Sequence, residues 1–115
     1  MDIIFDLLND IKKRYPLYIG RKSLEALSMF LNGYAIALYQ QLGIPCYFGS
    51  KFLNFVQRKN RIPFTTKHWA QILQENKTEE EAFDLFFEYL EEFKKTEIAQ
   101  TPDPLSSEDL DYRNW

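Results

Sequence analysis

Apolar residues recur at helical spacing along most of the chain, and prolines, glycines and capping residues divide the pattern into five predicted helices. The first helix carries one apolar stripe, which consists of Ile3, Ile4, Leu7, Leu8 and Ile11. Proline disfavours helical geometry in the residue before it, so this helix is expected to end before Tyr15 and Pro16. No stretch sustains an alternation with a period of two, so no sheet is expected.

The second predicted helix begins at Ser23 and runs to about Leu42, and its apolar residues surround the helix axis. A helix that is apolar on most sides belongs in the centre of a bundle. Gly33 costs about 1 kcal/mol relative to alanine inside a helix. We expect a neighbouring helix to approach closely at Gly33, which would be a physical reason to accept this cost. Gly43 is well placed to end the helix, and Pro45 prevents its continuation.

Two shorter predicted helices follow, and Pro63 separates them. Ser50 is the expected N-cap of the third helix, and Thr65 or Thr66 is that of the fourth. The residues expected to face inward are apolar and spaced for one side of a helix: Phe52, Leu53, Phe55 and Val56 in the third, and Trp69, Ile72 and Leu73 in the fourth.

The fifth predicted helix lies in TEEEAFDLFFEYLEEF, residues 78–93. Thr78 followed three residues later by Glu81 is a capping box. At about 100° per residue, the apolar side chains of this segment occupy an arc of roughly 200°. Carboxylates fill the opposite side, and their central and C-terminal members form what we call the acidic ridge: Asp84, Glu88, Glu91 and Glu92.

The whole pattern predicts an all-α fold, a single compact bundle of about five helices over residues 1–99. The chain has 115 residues, of which 45% are hydrophobic, enough for one domain with one core. The helical pattern stops after about Ala99. Residues 100–115, QTPDPLSSEDLDYRNW, contain two prolines and few apolar residues, and we expect an extended acidic and aromatic tail there.

Charge is unevenly distributed along the chain. Residues 1–76 carry ten Lys/Arg and five Asp/Glu, whereas residues 77–115 carry four and twelve, which gives a net charge of −3. A negative net charge argues against a dedicated nucleic-acid binder. Either the acidic part neutralises the basic part within one fold, or a charged surface serves a partner of opposite charge.

Candidate catalytic chemistry is sparse. Cys46 is the sole cysteine and His68 the sole histidine, so neither an intramolecular disulfide nor a set of metal ligands at the usual spacing is expected. A Cys46–His68 nucleophile–base pair is one hypothesis. The alternative, which we favour, places Cys46 in a turn and His68 on the surface in a first helical turn.

Sequence motifs for metal sites, phosphate loops and signal peptides are also missing. Glu88 with Glu91 or Glu92 lacks the Glu-x-x-His pair that a di-metal helical site would add, and the chain has no glycine-rich phosphate loop. We therefore expect no enzyme activity, no cofactor and no metal. Asp2 and Asp6 stand where a signal peptide needs a basic start. The uncharged stretch over residues 26–44 is interrupted by polar residues and fits a buried helix better than a membrane span, so a cytoplasmic protein is expected.

Three surfaces remain as candidates for binding. The acidic ridge is one, and Tyr15 and Tyr18 beside the Pro/Gly connector are another, because tyrosine is favoured at interfaces. The third, which we call the basic corner, could contact phosphate or RNA. The basic corner consists of Arg58, Lys59, Arg61 and Lys67.

Three segments carry a resemblance to a known class of protein. YPLYIGRKSLEALSMFLNGY, the tryptophan at position 69 and TEEEAFDLFFEYLEEF, which together span residues 15–93, are similar to small, mostly helical bacterial proteins. These are encoded near polymorphic or contact-dependent toxins and classed as immunity proteins. The shared residues are mainly packing and capping residues, and no catalytic residue can be carried over. The resemblance implies a cytosolic protein that binds and silences a toxin domain.

The sequence thus predicts a non-catalytic protein-binding module, and the resemblance implies that it neutralises a toxin by direct occlusion. An acidic surface would speed association with a basic toxin domain. The alternative is a small nucleic-acid-associated regulator that uses the basic corner.

Overall fold

The computed structural model describes residues 2–96 and residue 99, and the secondary structure in this part of the chain is entirely helical. The all-α fold with five helices is confirmed. The helices are α1 (Asp2–Tyr18), α2 (Leu24–Leu42), α3 (Phe48–Lys59), α4 (Trp69–Gln74) and α5 (Glu79–Lys94). The tail predicted for residues 100–115 lies outside the described residues. Among the described helices, none is both long and apolar enough to span a membrane.

The core is organised around α5, which packs against α2, α3 and α4. Its apolar arc is buried as predicted, and the buried residues are Ala82, Phe83, Phe86, Phe87, Leu90 and Phe93. The ring of Phe86 lies 5.0 Å from that of Trp69 and 5.2 Å from that of Phe52. Aromatic rings at these separations interact favourably beyond their buried area, so α3, α4 and α5 are held together by one aromatic cluster.

The position of α2 differs from the prediction. It buries one face, consisting of Leu24, Leu27, Leu31 and Ala35, while Met29 on the other side is 69% exposed. Gly33 is exposed, and a Cβ atom built on it would have no neighbour within 4 Å. The central position of α2 and the close approach at Gly33 are therefore both wrong, because the aromatic side chains of α3, α4 and α5 already fill the centre.

Helix α1 also continues beyond its predicted end. Arg14 has non-helical angles (φ −130°, ψ 36°), and a second helical stretch then runs through Pro16 to Tyr18. Proline is tolerated in the first turn of a helix, where no hydrogen bond to its nitrogen is required. The break thus lies close to the predicted end, but the expectation that helical structure stops there is wrong.

The predicted N-caps of the two short helices are wrong. Helix α3 begins at Phe48, and Ser50 lies inside its first turn, where the hydroxyl donates to the carbonyl oxygen of Tyr47. Helix α4 is capped by His68 instead of Thr65 or Thr66. In contrast, the predicted inward residues Phe52, Val56, Trp69, Ile72 and Leu73 are buried, and Leu53 and Phe55 are half-buried against them.

The predicted start and end of α2 and the predicted start of α5 are confirmed. The Ser23 hydroxyl accepts a hydrogen bond from the amide of Ala26, and Gly43 ends α2 in the left-handed conformation (φ 66°). At the start of α5, the Thr78 hydroxyl accepts from the Glu81 amide while the Glu81 carboxylate accepts from the Thr78 amide. The bond from the Thr78 amide stabilises the charged form of the Glu81 carboxylate and lowers its pKa.

Candidate functional site

The acidic ridge lies on the exposed side of α5, as predicted, but most of its carboxylates already have a lysine partner. The Lys22 Nζ atom lies 3.2 Å from Asp84 Oδ1, and the Lys59 Nζ atom lies 2.6 Å from Glu92 Oε2. Within α5, Lys94 Nζ lies 3.3 Å from Glu91 Oε1. The acidic part of the chain is therefore partly neutralised by the basic part within one fold.

Glu88 differs from the other members of the ridge. It is exposed, and no ion pair joins it to another residue in the described part of the chain. Its neighbours on the ridge are held by exposed pairs, and such pairs contribute only about 0–1 kcal/mol each. Glu88 is thus the carboxylate most readily available to an external cation.

A groove between α1 and α5, here named the α1–α5 groove, contains three of the four ridge residues. Its volume is about 530 Å³, and it is lined by Lys12, Lys22, Phe83, Asp84, Phe87, Glu88 and Glu91. The floor is apolar, because it is formed by Phe83 and Phe87, two core residues that are only 2% and 4% exposed. The rim is charged, with lysines from α1 and the loop before α2 and carboxylates from α5.

Cation–aromatic contact is already present in this groove. The Lys12 Nζ atom lies 5.9 Å from the centre of the Phe87 ring. On the same rim, the hydrogen bond that Lys22 donates to Asp84 raises the pKa of Lys22, so this lysine stays charged. The groove can therefore accommodate an alkyl-ammonium or guanidinium group, with its apolar part on the rings and its charge near carboxylates.

The two predicted interface tyrosines have different positions. Tyr15 is half-buried, and its ring meets that of Phe83 edge-on at 5.6 Å, so it supports the groove floor from inside. Tyr18 packs against Phe30 at 5.7 Å and donates a hydrogen bond from its hydroxyl to Asp10, which raises the pKa of Tyr18. Of the two, the structure connects only Tyr15 with the ridge residues.

The basic corner separates into paired and unpaired members. Lys59 is bound to Glu92, and Lys67 is bound to Glu75. Arg58 and Arg61 are exposed and form no ion pair with any residue that the structure describes. The two arginines also line a second, shallow groove at the end of α3, whose remaining lining residues are Asn54, Gln57, Ile62 and Pro63.

His68 has a structural role that the sequence reasoning missed. Its Nδ1 atom accepts a hydrogen bond from the amide of Ala70 at 3.1 Å, and the Gln71 side chain accepts from the His68 amide. Burial lowers the pKa of His68 to about 4, so the imidazole is neutral near pH 7 and can accept this bond. A His-x-x-Gln sequence at a helix start is the signal, since it has the form of a capping box.

Other chemistry-bearing residues are not brought together. Cys46 is half-buried against the hydrophobic core. In the described part of the chain, no group of three or more His, Cys, Asp or Glu side chains is arranged to hold a metal ion. The lysines of the α1–α5 groove were not found from the sequence, because Lys22 and Asp84 are 62 residues apart and only the folded chain brings them together.

Comparison of the chain with protein-family models, with curated proteins and with solved structures gives no match.

Proposed function

We propose that this chain is a non-catalytic protein-binding module that neutralises a basic toxin domain by direct occlusion, with the α1–α5 groove as the contact surface. The observation that carries the proposal is the combination of an apolar floor, Phe83 and Phe87, with Glu88 on one rim, a carboxylate that forms no ion pair with the residues the structure describes. A lysine or arginine of the partner would lay its alkyl part on the rings and place its charge beside Glu88.

The ion pairs of the ridge are weak enough for a cation of the partner to take the place of the lysine. The side chains of Lys22 and Asp84 are 35% and 60% exposed, so breaking their pair costs little. A cation of the partner can therefore bind these carboxylates without a large penalty. Such surface charges act mainly on the rate of association, and a rigid helical surface lowers the entropic cost of binding.

The toxin-neutralising role, the bacterial origin and the cytosolic location rest on the resemblance of residues 15–93 to immunity proteins. A large secreted protein with a variable C-terminal domain, encoded next to this chain, would supply the partner. We expect the C-terminal domain of such a protein to arrest growth when expressed alone and to be silenced when co-expressed with this chain.

The test of the contact surface is Glu88→Lys, measured as the association rate with that toxin domain at low and at moderate salt. We expect the rate at low salt to fall roughly three- to tenfold and its salt dependence to weaken, because one attractive charge becomes repulsive. The helix should remain intact, since Glu88 lies on the exposed side of α5 and past its first turn.

Asp6→Lys is the matched control, because it makes the same change of charge at an exposed position of α1 that does not line the groove. It should alter the rate much less than Glu88→Lys. Equal effects of the two variants would mean that only net charge matters, and an unchanged rate in Glu88→Lys would remove the groove from the interface.

A further inference from the structure

The end of α3 is closed by a Schellman motif that places an arginine where glycine is usual. The Ile62 amide donates to the carbonyl of Gln57 at 2.8 Å, and the Arg61 amide donates to that of Arg58 at 3.2 Å. This pattern requires a left-handed residue at the position after the C-cap. The C-cap is Asn60, and Arg61 follows it with φ 56°.

Arginine is a costly residue at this position. The left-handed region brings the Cβ atom close to the following carbonyl oxygen, so glycine, and less often asparagine, occupies it. Asn76, the other non-glycine residue with positive φ among those described, follows this preference. Arg61 does not, and a strained residue that persists on an exposed surface is a reason to look for a function of its side chain.

Its surroundings indicate an anion-binding surface. Arg58 and Arg61 line the same shallow groove, with Asn54 and Pro63 beside them. The adjacent cation Lys59 is neutralised by Glu92, whereas the two arginines have no carboxylate partner among the described residues. Guanidinium groups form bidentate hydrogen bonds with phosphates, and two of them in one groove can contact successive phosphates of a strand.

An exposed aromatic residue stands next in the sequence to a residue that lines this groove. Phe64 is 78% exposed and comes immediately after Pro63, which lines the groove. Arginines that contact the backbone, combined with an aromatic ring on which a base can stack, are typical of surfaces that bind single strands. We infer that Arg58, Arg61 and Phe64 form a binding site for single-stranded nucleic acid, separate from the α1–α5 groove.

The test is the fluorescence anisotropy of labelled single-stranded RNA and DNA of about 12 nucleotides, a length within the range that one such surface covers. Titrations at about 50 and about 200 mM salt give the salt slope. In the double variant Arg58→Ala/Arg61→Gly, we expect affinity at the lower salt to fall by on the order of tenfold or more, and the slope to decrease by about 1.4, because each contact with a single-stranded phosphate contributes about 0.7.

Two further variants separate charge from specific contact. Lys13→Ala/Lys95→Ala removes the same net charge at exposed positions away from the groove, and it should leave the affinity within about twofold of the original, since such charges act only through the screened long-range field. Phe64→Ala keeps every charge and should weaken binding about tenfold without changing the salt slope, because it removes base stacking alone.

A stability measurement tests the strain at Arg61 independently of binding. Arg61→Gly should raise the urea midpoint of unfolding while it weakens oligonucleotide binding, since glycine fits the left-handed position. This opposition would show that the arginine is kept for its side chain and not for the fold.

Several results would overturn the inference. They are undetectable binding of both oligonucleotides, equal losses in the arginine and lysine double variants, or unchanged affinity in Phe64→Ala. Binding of a duplex of the same length as tightly as the single strand would also contradict it, because a stacking surface requires unpaired bases. None of these results bears on the Glu88→Lys experiment, so failure of this site and failure of the proposed function can be told apart.

Discussion

Gly33 offers the sharpest test of the fold, because the sequence pattern and the structure predict opposite signs for one substitution. If a neighbouring helix approached α2 closely at Gly33, an added methyl group would clash and Gly33→Ala would destabilise the protein. In the structure, this position is exposed and the space around a built Cβ atom is empty to 4 Å. The effect of Gly33→Ala on stability then comes only from the difference in helix propensity between glycine and alanine.

The expected effect of Gly33→Ala is therefore stabilisation by about 0.8–1 kcal/mol, the propensity difference between glycine and alanine in a helix interior. That value corresponds to a rise in the melting temperature of about 4 °C for a domain of this size. Urea unfolding followed by far-ultraviolet circular dichroism measures the free energy directly, and an unchanged m value would show that the cooperative unit is the same.

Gly43→Ala is the matched control, because it is the same chemical change at the end of the same helix. Its Cβ would also meet nothing within 4 Å, but Gly43 has φ 66°. Alanine in that left-handed conformation costs about 1 kcal/mol, so this variant should be less stable. Destabilisation by Gly33→Ala would refute the exposed position of this face of α2 and would indicate a neighbour packed against it.

Two other predictions concern the core and the α4 cap. Phe86→Ala should destabilise the protein by about 3–5 kcal/mol, since it removes a fully buried ring from the aromatic cluster; a loss below about 1 kcal/mol in urea unfolding would contradict the burial. Because the pKa of His68 falls from 6.5 to about 4 on folding, the unfolded chain binds more protons between these values, and stability should decrease as pH falls from 6.5 towards 4. His68→Asn keeps a capping side chain that does not titrate, so it should lose this part of the pH dependence; an unchanged pH profile would assign the dependence to other groups.

The sequence by itself determined the helices, because their signals are local. The 3.6-residue period of α5, its Thr78–Glu81 capping box and the Gly43 end of α2 each involve residues within a few positions of one another, and all are confirmed. A favourable N-cap residue type does not by itself fix where a short helix begins. Ser50 and Thr65 are favourable N-cap types, yet α3 begins earlier and α4 later, since the burial of Phe48 and Trp69 sets where these helices lie.

Tertiary structure decided which helix is central and which charges are available. An apolar helix such as α2 can be buried on one side or on all, and the choice depends on how the aromatic rings of the other helices fill the interior. The carboxylates of the ridge were predictable as exposed residues of α5. Their pairing with Lys22 and Lys59 was not, because these contacts join residues 62 and 33 positions apart. Sequence periodicity describes one element at a time, whereas a groove or an ion pair between elements exists only after packing has fixed their relative positions.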